Sequence, residues 1–159
     1  MRDLLILGLG NDILRDDAIG LRVARRLAAE LGPDSTIDVR ETTEMGLVLL
    51  DYLAGYARAF VVDAIITGSA APGFLHELSP SALRTLTNRT PHFLGVAETL
   101  ALGRELGLEM PSEVRVFAVE VEDPFRLGTE MTPALEAALP GIVGRIAEVA
   151  EEVCQATGA

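Results

Sequence analysis

Runs of apolar residues alternate with segments that are apolar on one side only, and this alternation runs the length of the chain. Leu4-Leu5-Ile6-Leu7-Gly8-Leu9 is continuously apolar, the pattern of a strand covered on both faces in a parallel sheet. From Asp17 to Leu31, Ile19, Val23 and Leu27 recur at helical spacing while Arg22, Arg25 and Arg26 lie off that stripe, which predicts an amphipathic helix. Thr36 to Arg40 reads as a second strand and Met45 to Leu53 as a second helix. Ala59-Phe60-Val61-Val62 reads as a third, buried strand that ends at Asp63.

The next strand-like piece, Gly73 to Leu78, follows after a connection shorter than a parallel crossover needs, so it is expected to run antiparallel to the others. His92 to Leu106 then predicts a helix with Pro91 in its first turn, and Val114 to Val121 a last buried strand. In the final segment Leu135, Leu139, Ile142, Ile146, Val149 and Val153 keep one phase across Pro140-Gly141, which predicts a kinked but continuous helix. The expected architecture is a three-layer α/β/α sandwich around a mostly parallel five-stranded sheet with one antiparallel strand.

No repeat, low-complexity tract or linker interrupts the 159 residues, so one domain over 1–159 is expected. A formal net charge of −11 disfavours nucleic acids and anionic membranes as partners. Met1-Arg2-Asp3 leads directly into the first strand without a signal-peptide core, and no apolar stretch approaches a membrane span. The expectation is a cytoplasmic protein, and nothing in the chain requires more than a monomer. Cys154 is the only cysteine, so neither an internal disulfide nor a cysteine zinc site can form, and it is read as a structural thiol.

Three features fall at the carboxyl edge of the sheet, where open α/β sheets bind their ligands. The loop Gly8-Leu9-Gly10-Asn11-Asp12-Ile13-Leu14-Arg15-Asp16-Asp17 has the first two glycines of a dinucleotide fingerprint, but Ile13 stands in the place of the third. It also presents Asp12, Asp16 and Asp17 where a pyrophosphate would rest, and carboxylates there repel phosphate and attract a cation. One of Asp16 and Asp17 can be explained as a helix cap, which leaves the other for a site.

The second feature is Asp63, a charge set directly after a buried strand, which is either hydrogen-bonded by the next loop or lines a site. The third is His92, at the entrance to a helix; a lone histidine is more often structural, but its place at the same edge favours a ligand role. His76, in Phe74-Leu75-His76-Glu77-Leu78, is read as a surface residue of an edge strand. Two carboxylates and one imidazole would leave coordination positions open on a borderline divalent ion such as nickel or zinc. There is no Gly-x-Ser-x-Gly elbow and no His-Glu-x-x-His helix.

Gly8-Leu9-Gly10-Asn11, the acidic pair Asp16-Asp17 with Ala18-Ile19-Gly20, Asp63-Ala64-Ile65 and Pro91-His92-Phe93-Leu94-Gly95 together resemble the hydrogenase maturation proteases. The similarity runs from Met1 through the helix that begins at Thr132-Pro133. In one place the chain departs from the pattern: many members carry Gly-Thr after the second strand, and here the sequence is Glu41-Thr42-Thr43-Glu44.

The resemblance implies a phosphorylase/hydrolase-like fold and an endopeptidase, labelled aspartic-type, that removes the C-terminal extension from the nickel-loaded precursor of a nickel-iron hydrogenase large subunit. It implies that Asp17, Asp63 and His92 bind the metal at the cleavage point and that one of the two acids also serves as general base. Nickel would be supplied by or shared with the substrate, with zinc or another divalent ion possible in its place. Two other readings stand beside it: a nickel-sensing module that docks on the immature subunit without cutting, and a nucleotide-using enzyme in which Glu41 plays the ribose-binding acid.

Overall fold

The computed structural model describes residues 1–33, 35–82 and 91–158. Five strands form one sheet: β1 (Arg2–Leu9), β2 (Ile37–Thr42), β3 (Tyr56–Ile65), β4 (Leu75–Leu78) and β5 (Glu113–Glu120). Their order is β2-β1-β3-β5-β4. All neighbouring pairs are parallel except β4 and β5, which run antiparallel, with His76 opposite Ala118. The short β3–β4 connection produces this reversal, as expected, because it cannot carry the chain back across the sheet.

Alternation along the buried strands sorts their side chains into two cores. Leu4, Ile6, Phe60, Val62, Phe117 and Val119 face one side, where they meet α1 (Ile19–Leu31) and the last helix, α4 (Pro133–Thr157). Leu5, Leu7, Leu9, Ala59 and Val61 face the other, where they meet α2 (Leu49–Leu53) and α3 (Pro91–Glu105) through Leu49, Leu53, Val96 and Leu100. This gives the three expected layers. The stripe of α4 from Leu135 to Val153 is buried along its whole length, and the helix runs unbroken through Pro140 with Pro133 in its first turn. Among the described residues, no helix is long and apolar enough to cross a membrane.

Two of the boundaries that differ from those the sequence suggests bear on the acidic residues. β3 continues through Asp63 to Ile65, so Asp63 belongs to the strand and pairs with Ala118. Hydrogen bonding to β5 on the interior side of the sheet keeps the ladder going past the charged residue. The helix expected from Asp17 begins instead as a 3-10 turn, Arg15–Ala18, and becomes α-helical at Ile19.

Sheet order sets the place of the site. The chain leaves β1 to one side to build β2 and then crosses to the other to build β3, so the order reverses between β1 and β3. The loop after β1 and the end of β3 meet at that switch point, where α/β folds open a crevice.

A carboxylate pair at the switch point

Close packing brings the acidic turn against the strand ends. A Cβ added at Gly20 would lie 2.1 Å from the Leu9 carbonyl oxygen and 2.5 Å from that of Val62; one at Gly10 would lie 2.2 Å from the Asp17 carbonyl oxygen. Only glycine permits these backbone approaches. The space a dinucleotide fingerprint would open to a pyrophosphate is filled here by the protein's own main chain. The turn is closed by two further bonds, from Asn11 N–H to the Asp17 carbonyl at 3.2 Å and from Asp17 N–H to the Leu14 carbonyl at 2.8 Å.

The three aspartates of this loop do three different things. Asp12 is held by the Arg25 guanidinium at 2.8 and 2.9 Å, and the same guanidinium grips Glu41. Arg25 raises no bar to the cation-attracting character of the site, but it takes Asp12 out of it and holds Glu41 away from any ribose-binding role. Asp16, fully buried, is neither helix cap nor ligand. Its carboxylate accepts from the N–H groups of Glu122, Asp123 and Thr132 and from the Thr132 hydroxyl, at 2.7 to 3.3 Å. No side chain caps either the 3-10 turn or α1, so the capping explanation applies to neither acid. Asp16 is committed to the loop after β5; Asp17 beside it is buried to 9% exposure and close enough for its charge to act on Asp63.

Asp63 is 1% exposed. Its Oδ1 accepts the N–H of Ala64 at 2.7 Å, whereas Oδ2 is buried with no hydrogen-bond partner among the described residues. Burial, and after it the negative charge of Asp17, push the Asp63 carboxyl well above its ordinary value, against a smaller pull from the Ala64 N–H. That repulsion shows the two acids to be electrostatic neighbours. Leaving a buried acceptor unmatched costs about 1–3 kcal/mol, a cost proteins keep mainly where a ligand or a reaction uses the atom.

Strand alternation points Asp63 to the sheet face covered by α3, the side of Ala59 and Val61. That helix carries His92 in its first turn, and the His92 side chain lies outside the described residues. A short connection from α3 into the start of β5 puts the helix's end at the amino edge of the sheet, so its first turn stands at the opposite edge, about 20 Å away at 1.5 Å per residue. Among the described residues, no third metal-ligating side chain joins Asp17 and Asp63.

His76 departs from its reading as a surface residue. Its side chain is 12% exposed and its Nε2 lies 3.1 Å from Glu120 Oε1, with the Phe74 ring packed edge-on at 4.9 Å. Antiparallel pairing with β5 brings it there, because β4 enters the sheet at the edge where Glu120 ends its strand. Glu120, 2% exposed, also accepts the Thr67 N–H at 2.7 Å and the Thr67 hydroxyl. Burial pushes its carboxyl up, but the Thr67 and His76 bonds outweigh that and hold it below its usual value. An acid closing a buried strand was the signal that singled out Asp63, and it applied equally to Glu120.

Solved structures share this arrangement over nearly their whole length. The hydrogenase maturating endopeptidase HybD of Escherichia coli superposes with a TM-score of 0.79 at 29% identity, over 96% of this chain and 93% of that one. HybD of Thermococcus kodakarensis, a nickel-iron hydrogenase maturation protease, superposes with a TM-score of 0.70 at 25% identity, over 96% and 99%. The fold is that of a three-layer α/β class of endopeptidases. In sequence, the chain is 30% identical to the hydrogenase 2 maturation protease of Escherichia coli K12 over 84% of its own length and 82% of that protein's, and residues 21–149 match the hydrogenase maturation protease family. The chain belongs to that family, the endopeptidases that process the C-terminus of a hydrogenase large subunit.

Proposed function

We propose that this enzyme cuts the nickel-loaded precursor of a nickel-iron hydrogenase large subunit, and that Asp17, Asp63 and His92 gather around the divalent ion at the cleavage point. The unmatched Oδ2 of Asp63, buried beside the charge of Asp17, carries this reading. Two carboxylates of like charge, one with a buried oxygen that meets no donor among the described residues, suit a cation. Carboxylate and imidazole donors together match nickel or zinc.

When bound, nickel would supply Lewis-acid polarisation of the scissile carbonyl. The chain's own groups do the rest. Asp63 is oriented by the Ala64 N–H so that Oδ2 is the atom offered inward. Burial and the neighbouring charge of Asp17 favour the protonated form of Asp63, and a bound cation would favour its carboxylate. The turn that carries Asp17 is fixed by main-chain contacts at Gly10 and Gly20, so the second carboxylate needs no rearrangement to meet the substrate.

The test is a processing assay on matched precursors, nickel-loaded and nickel-free, with products weighed by mass spectrometry. The expected result is loss of the C-terminal extension from the loaded precursor alone. Asp17→Ala, Asp63→Ala and His92→Ala should each remove processing and leave the far-ultraviolet circular dichroism unchanged. A fully active Asp63→Ala variant, or equal cutting of both precursors, would end the proposal.

A further inference from the structure

Exposed apolar side chains gather at the edge of the sheet that carries the carboxylate pair. Ile13, Leu47, Phe74, Phe125 and Leu127 are 54–81% exposed. Each lies at the carboxyl edge of the sheet: Ile13 after β1, Leu47 after β2, Phe125 and Leu127 after β5, and Phe74 just before β4, whose antiparallel course starts at this edge. Scattered surface apolar residues need no explanation, but a concentration around one site does.

Three of them sit on a single built platform. The loop after β5 is laced to the turn that carries Asp17. Gly128 N–H donates to the Ile13 carbonyl at 2.9 Å, Arg15 N–H donates to the Gly128 carbonyl at 3.0 Å, and Leu14 and Gly128 form a parallel bridge. Arg15 Nε reaches the Glu130 carbonyl at 3.1 Å, and the buried Asp16 carboxylate ties down both sides. Arg15 has φ of 36°, a left-handed conformation unusual for a residue with a side chain, which persists only where its surroundings over-determine it. The loops are thus held in place with Ile13, Phe125 and Leu127 turned to solvent.

From this we infer that Ile13, Phe125 and Leu127 form the docking surface for an apolar segment of the precursor next to its scissile bond, and so set affinity for the substrate. The inference rests on the proposed processing of a hydrogenase precursor. A polypeptide cut at Asp17 and Asp63 continues on both sides of the bond, and Ile13 is only four residues from Asp17 along the same turn. Charge disfavours the main alternative, an acidic segment. Among the described residues, Arg15 and Arg126 both pair with Asp123, and Arg25 is committed to Asp12 and Glu41, in a protein of net charge −11.

The test is steady-state processing of the large-subunit precursor by wild type, by Phe125→Ser/Leu127→Ser, and by Leu106→Ser/Leu108→Ser, which removes exposed apolar residues between α3 and β5 at the opposite edge. The rim variant should raise KM about tenfold or more while kcat stays within about twofold, the signature of lost uniform binding. The control variant should match wild type. An unchanged KM in the rim variant, or an equal rise in the control, would overturn the docking surface while leaving the processing activity standing. Failure of wild type to cut the precursor would instead remove the activity itself and the platform's role with it.

Discussion

Asp16 grips Thr132 with both carboxylate oxygens: Oδ1 accepts the backbone N–H at 2.7 Å and Oδ2 the hydroxyl at 3.0 Å. The two residues are 116 positions apart, and both are buried. Thr132 opens α4, so one acid locks the acidic turn to the start of the terminal helix and, through Glu122 and Asp123, to the loop after β5. That anchoring holds in place the turn that also carries Asp17, one of the proposed ligands. Asp16→Ala would strand the Thr132 N–H and three other donors. The expected loss is about 3 kcal/mol, read by urea denaturation, together with reduced processing because the turn carrying Asp17 loses its anchor. Stability within about 0.5 kcal/mol of wild type would contradict the anchoring role.

Gly20 is where the acidic turn is pressed against the sheet. An alanine there would drive its Cβ into the Leu9 and Val62 carbonyl oxygens, and backbone on both sides cannot yield cheaply. Gly20→Ala is expected to cost about 3 kcal/mol and to lower processing by separating Asp17 from Asp63. Gly144→Ala in α4, where a Cβ meets nothing within 4 Å, should instead be neutral or stabilising by up to about 1 kcal/mol. Thermal unfolding of the two variants side by side checks the contrast.

Asp63 weakens the metal-free fold at neutral pH. Its folded-state carboxyl titrates above the ordinary value of 3.8, so across the window above that value the native protein holds more protons than the unfolded chain, and stability falls as pH rises. Asp63→Asn removes the buried charge. The variant should unfold at a higher temperature than wild type at neutral pH, by roughly 2–4 °C for each kcal/mol relieved, should lose the pH slope, and should not process. Added nickel should stabilise wild type and leave the variant unmoved, because the ligand set is broken. Calorimetry across pH, with and without nickel, would expose a variant less stable than its parent as the failure.

The His76–Glu120 pair supports the loop between β3 and β4 and is not among the proposed ligands. His76→Ala should retain processing and cost about 1 kcal/mol, since Thr67 still satisfies the Glu120 carboxylate. Glu120 contributes in the sense opposite to Asp63. Its folded carboxyl lies below the ordinary value, so its stabilisation is in place above that value and fades as pH falls through the lowered one. Loss of processing in His76→Ala, with the fold intact, would move His76 into the active site.

Much of the fold could be read along the chain because its signals are local. Unbroken apolar runs mark strands covered on both faces, and the stripe from Leu135 to Val153 carries helical phase straight through Pro140. The length of the β3–β4 connection alone requires the antiparallel strand. The boundary at Asp63 was misplaced for the same reason: a charged residue ends an apolar run, whereas a strand ends where its ladder of hydrogen bonds ends, and β5 extends that ladder to Ile65.

By itself the sequence determined the layers of the fold and the family pattern in which Asp17, Asp63 and His92 stand out. It could not divide labour among Asp12, Asp16 and Asp17, which are chemically alike and nearly adjacent. That division depends on partners far away in the chain, Arg25 and Glu41 for the first, Thr132 for the second and Asp63 for the third. Nor could it reveal that His76 is sheltered against Glu120, or that the loop carrying Phe125 and Leu127 is bonded through Gly128 to the turn at Ile13. A carboxylate's role is set by whichever donors or charges the folded chain brings within a few ångströms of it, and only the tertiary structure decides which those are.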